Sequence, residues 1–98
     1  MTASVAIQVL PDVKDTDELI RIVDKVIDYI ASTGYNYYVG PFETTIEGDS
    51  YDELMEIVKN CQKVALSAGC SSVSAYVKIC YNEDGVLTID EKTSKYNR

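Results

Sequence analysis

The hydrophobic positions follow two different periods along the chain. Over residues 3–10 they alternate singly, with Val5, Ile7 and Val9 on one side and Ala6, Gln8 and Leu10 on the other. A period of two predicts a strand with one strongly apolar face, and Pro11 ends it because proline has no amide to give to a ladder. The period then changes. Leu19, Val23, Val26, Ile27 and Ile30 recur at helical spacing, flanked by Ile20 and Ile22, while Arg21, Asp24, Lys25 and Asp28 fill the opposite side. This pattern predicts an amphipathic helix of about 17 residues. Asp15 reads as its N-cap with Glu18 as the capping-box partner, and Gly34 closes it.

The second half repeats the alternation of periods. Tyr35-Asn36-Tyr37-Tyr38-Val39 is aromatic and β-prone, Gly40-Pro41 makes a tight turn, and Phe42 to Glu47 returns as the other arm of a hairpin. Tyr37, Val39, Phe42, Thr44 and Ile46 share one face; Asn36, Tyr38, Glu43, Thr45 and Glu47 share the other. Ser50 with Glu53 marks a second capping box. Leu54, Val58, Cys61, Ala65 and Ala68 form a helical stripe beside Ile57 and Val64, stopped by Gly69. Ser72 to Cys80 alternates again, with Val73, Ala75, Val77 and Ile79 opposite Ser74, Tyr76 and Lys78. After a turn at residues 82–85 the tail, from about residue 86, reads in one of two ways. It is a helical turn capped by Thr88 and Glu91 and running through Lys95, or a short strand over residues 86–90. The last few residues are expected to fray.

The order strand, helix, strand, strand, helix, strand is the split βαβ, or ferredoxin-like, pattern. Right-handed crossovers place both helices on one face of a four-stranded antiparallel sheet, an α+β fold. Residues 1–98 suffice for one domain. Pleat parity puts Gln8, Leu10, Asn36, Tyr38, Glu43, Thr45, Glu47, Ser74, Tyr76 and Lys78 on the face without helices. Tyrosines mixed with charges suit an interface, so this face is expected to be covered by a second copy of the chain.

Composition narrows the partners. The net charge of −7 argues against nucleic acid and against anionic membrane surfaces. No signal peptide or membrane-length apolar run is visible, so a cytoplasmic location is expected. Three cysteines, none in a Cys-x-x-Cys pair, and no histidine leave no ordinary metal-ligand set and read as free thiols in a reducing compartment. Nucleophile–base catalysis by Ser or Cys normally needs a histidine. Glu43 and Glu47 lie four apart on a strand, roughly 13 Å between backbones, too far for a carboxylate pair sharing a proton. No catalytic residue, cofactor or reaction is therefore expected. Glu47 before Gly48, beside threonine hydroxyls, is better suited to binding, as a carboxylate that accepts from an amidine-like nitrogen or pairs with a cation.

One block is more specific than the rest: Tyr38-Val39-Gly40-Pro41-Phe42-Glu43-Thr44-Thr45-Ile46-Glu47-Gly48-Asp49, preceded by Gln8-Val9-Leu10-Pro11 and followed by Val77-Lys78-Ile79. With this order and spacing the chain resembles the small thiamine-binding (YkoF-like) protein family. The resemblance implies a ferredoxin-like subunit assembling into homodimers or homotetramers, and non-catalytic binding of thiamine or its hydroxymethylpyrimidine moiety. It points to Thr44 and Glu47 as ligand-binding residues; Gln8, Tyr38 and Lys78 join them from their places on the sheet. Pleat parity sets Thr44 and Glu47 on opposite faces unless a bulge intervenes. The alternative is a protein-interaction module that uses the open sheet face and takes no small ligand.

Overall fold

The computed structural model of the chain describes residues 1–96; the expectation of a frayed end falls partly outside them. The elements follow in the order β1 (Ala3–Pro11), α1 (Thr16–Ser32), β2 (Asn36–Val39), β3 (Thr44–Gly48), α2 (Tyr51–Ser67), β4 (Val73–Tyr81) and α3 (Ile89–Thr93). The sheet order is β2-β3-β1-β4 with every neighbouring pair antiparallel, which is the ferredoxin-like arrangement. Ala3, Val5 and Ile7 of β1 and Ile46 of β3 pack with Ile22, Val26 and Ile30 of α1. Leu54, Val58, Cys61 and Ala65 of α2 complete that core.

The local signals are mostly realised, with instructive exceptions. In α1 the buried line is Ile22, Val26 and Ile30, while Leu19 and Ile20 are exposed. The helix is rolled so that Val23 and Ile27, central in the sequence stripe, are only half-buried. Asp15 caps α1 through Asp17 N–H, but Glu18 does not complete a box, because its carboxylate pairs with Arg21 at 2.7 Å. Arg21 in turn donates to the Ala68 carbonyl, tying α1 to the end of α2. Ser50 accepts from Glu53 N–H, while the Glu53 carboxylate accepts from the Tyr35 hydroxyl. That tyrosine ring lies over Gly48, where a Cβ would overlap it.

The β2–β3 connection is longer than the tight turn expected. Pairing stops at Val39 opposite Thr44, so Gly40 to Glu43 form a four-residue loop closed by Gly40 N–H donating to Glu43 O at 2.9 Å. Phe42 and Glu43 therefore belong to the loop, not the strand. The tail adopts the helical alternative. Thr88 and Glu91 form a complete capping box, and α3 ends at Thr93. It packs on the face of the sheet that carries no other helix, so that face is partly covered by the chain itself.

Candidate functional site

Two consecutive pleats of β3 lead to two different environments. Thr44 and Ile46 point toward the helices, Thr45 and Glu47 away from them, with no bulge in the register. Thr44 is 6% exposed. It lies at the inner end of a crevice of about 110 Å³, between the half-buried Val23 and Ile27 of α1, Val39 of β2 and the Gly40–Glu43 loop. Its hydroxyl has no protein hydrogen-bond partner among the described residues, yet it is not sealed from the crevice. That hydroxyl therefore faces the crevice, where water or an occupant of the crevice can pair with it. Phe42 stands at the mouth, 77% exposed, which is unusual for the only phenylalanine of the chain.

Glu47 is 2% exposed and both its carboxylate oxygens accept from Ile89 N–H, at 2.9 and 3.1 Å. A charged acceptor on a free amide at the start of α3 is a strong pairing. It fixes the tail across 42 residues of sequence. The remaining residues singled out in the sequence divide between the two sides. Gln8 borders the Thr44 crevice, although the pleat sets it with Ser4 and Ala6. Tyr38 lies on the α3 side, bordering an apolar hollow with Pro41, Phe42 and Thr93. Lys78 is on the α3 side too, paired with Glu43 at 3.1 Å. The structure thus joins Thr44 with Gln8, and Lys78 with Glu43, but it does not join Thr44 with Glu47.

Val23, Ile27 and Phe42 are the wall residues that sequence reasoning missed as site residues. The signal was partial. Val23 and Ile27 sit in the apolar stripe of α1 but receive no full cover, and Phe42 is apolar in a loop, where such a residue is out of place. Among the described residues no cluster of His, Cys, Asp and Glu has the makings of a metal site. No helix there is long and apolar enough to cross a membrane.

Residues 5–97 match the family model described as thiamine-binding protein. A UPF0045 protein of Clostridium perfringens is 50% identical over 95 residues, 97% of each chain. Among solved structures, a protein of Thermotoga maritima described as a candidate thiamine biosynthesis or salvage protein superposes with a TM-score of 0.85. It is 35% identical, with 98% of this chain and 99% of that one covered. A Streptococcus pneumoniae protein gives 0.81 at 41% identity, covering 96% and 99%.

Proposed function

The chain belongs to the thiamine-binding protein family, and on that premise we propose that it binds thiamine, or the hydroxymethylpyrimidine part of it, in the Thr44 crevice without transforming it. The observation that carries this reading is the Thr44 hydroxyl, without a partner among the described residues and open to a crevice walled mainly by Val23, Ile27, Val39 and Phe42, with Gln8 and Glu43 at its border. A hydroxyl both donates and accepts, so it matches a ring nitrogen or an exocyclic amine of a pyrimidine equally well. Val23, Ile27 and Val39 supply flat apolar walls for the ring, and Phe42 offers a face on which it stacks.

Size favours the pyrimidine half as the inserted part. This crevice, at about 110 Å³ and open on one side, is smaller than the apolar cavity of about 150 Å³ that takes one benzene ring, so it seats no more than one ring, and that ring only in part. One edge of the ring enters, and the rest of the ligand stays outside, beside the loop and Phe42. The net charge of −7 draws a cationic ligand from a distance. In this reading Glu47 holds the tail, and Thr44 and Phe42 hold the ligand. The sequence contains no histidine to serve as a general base, and a binding role needs none. Three free cysteines suit a reducing cytoplasm.

Native mass spectrometry of freshly purified protein titrated with thiamine and with hydroxymethylpyrimidine tests this. The expected spectrum retains one ligand per chain, lost in Phe42→Ala. An unliganded spectrum at millimolar ligand contradicts it.

A second reading concerns assembly. Leu10, Tyr38 and Tyr76 are exposed on the α3 side of the sheet at 38%, 42% and 66%. We propose that a second copy of the chain covers them, giving a homodimer or a larger homo-oligomer. Sedimentation of the wild type and of Tyr76→Ser at micromolar concentration checks this: assembly in the first and weakening in the second support it, and a wild-type monomer opposes it.

A further inference from the structure

The α3 side of the sheet holds a second built depression. The register sets out its floor in rows. Glu47, Ser4 and Cys80 stand side by side across β3, β1 and β4, and Thr45, Ala6 and Lys78 form the next row. Ala6 in the middle of that row has only a methyl group, so the floor dips there. Lys92 of α3 overhangs it, and the resulting hollow measures about 250 Å³.

Three features of this hollow point to a ligand. Ser4 is 5% exposed and borders it, and its hydroxyl has no hydrogen-bond partner among the described residues. The Thr45 hydroxyl, also without a protein partner there, borders it from the neighbouring strand. Two ammonium groups, Lys78 and Lys92, line it with the Glu43 carboxylate, and the Glu47 carboxylate beside Ser4 is turned to Ile89 N–H. Lys78 is paired with the Glu43 carboxylate, and Lys92 has no ion pair among the described residues.

We propose that this hollow is a second small-molecule site, separate from the Thr44 crevice, that takes an oxyanion: phosphate or a phosphate monoester. Ser4 and Thr45 donate hydroxyl hydrogens to its oxygens, and Lys92 and Lys78 supply charge-assisted bonds. Glu43 orients Lys78 over the floor. The site lies across the sheet from Thr44 and is independent of thiamine binding.

The test is an amide NMR titration of the full chain with inorganic phosphate and with methyl phosphate, at constant ionic strength set with chloride. The expected result is saturable movement of the Ser4, Ala6, Thr45 and Lys92 signals in the millimolar range. Lys92→Gln, a change on an exposed side chain, weakens binding about tenfold without altering the melting temperature. Tighter binding of methyl phosphate assigns the monoester, and tighter binding of phosphate assigns the free ion. Movement that fails to saturate at tens of millimolar, that maps elsewhere, or that is unchanged in Lys92→Gln overturns the proposal.

Discussion

Thr44 and Glu47 stand three residues apart on β3 and serve opposite faces of the sheet: the Thr44 hydroxyl opens into the crevice beneath α1, while the Glu47 carboxylate is closed over by Ile89. An odd separation on an unbulged strand requires this. A single short motif therefore contributes to two structures, an open crevice and a tail clasp.

The clasp predicts that Glu47 acts on the tail and not on the ligand. Glu47→Ala leaves Ile89 N–H without its partner and releases α3, at a loss of about 1–3 kcal/mol. Glu47→Gln keeps an acceptor and loses less. Limited proteolysis after Gly85 and hydrogen exchange at Ile89 should accelerate in Glu47→Ala, with hydroxymethylpyrimidine affinity unchanged. A large loss of affinity in Glu47→Gln with an intact tail would return Glu47 to the binding site.

Much of this was legible in the chain because local signals agreed with the global fold. The periods gave each strand and both long helices, and pleat parity already separated Thr44 from Glu47. What was hidden involved competition or distance. Glu18 is spaced for a capping box but finds Arg21, and the Glu53 carboxylate finds Tyr35. The roll of α1 depends on how α2 packs beside it, so the uncovered state of Val23 and Ile27 has no sequence signature. The docking of α3 rests on one buried apolar residue, Ile89, and on a partner 42 positions away, too little for periodicity to register.

Gly48 is fixed by the Tyr35 ring above it. Gly48→Ala forces the ring aside and breaks its hydroxyl contact with Glu53, which should lower stability by about 1–3 kcal/mol. Tyr35→Ala removes the obstacle, so the double variant should be less destabilised than the sum of the two. Urea denaturation of all four proteins measures the coupling. Strict additivity would mean that the two residues do not constrain each other.

The cysteines should differ sharply in reactivity. Burial pushes the Cys61 thiol up to about 12, whereas Cys80 is exposed. In native protein a thiol reagent near neutral pH should modify Cys80 and spare Cys61 until the chain unfolds. The unfolded chain ionises Cys61 from its ordinary value of 9.0 upward, while the folded chain holds the proton to about 12. This contribution is therefore complete below pH 9 and is lost as pH rises toward 12. Cys61→Ala should remove that share of the alkaline slope in a series of melts.

The central claim is that the Thr44 hydroxyl receives a pyrimidine ligand, and calorimetry of hydroxymethylpyrimidine with the wild type and with Thr44→Val measures it most directly. The account predicts saturable binding to the wild type, weakened about three- to tenfold in Thr44→Val as one neutral hydrogen bond is removed, with no loss of melting temperature because the hydroxyl has no partner among the described residues. Equal affinity in the two proteins, or no heat from either at millimolar ligand, would contradict it.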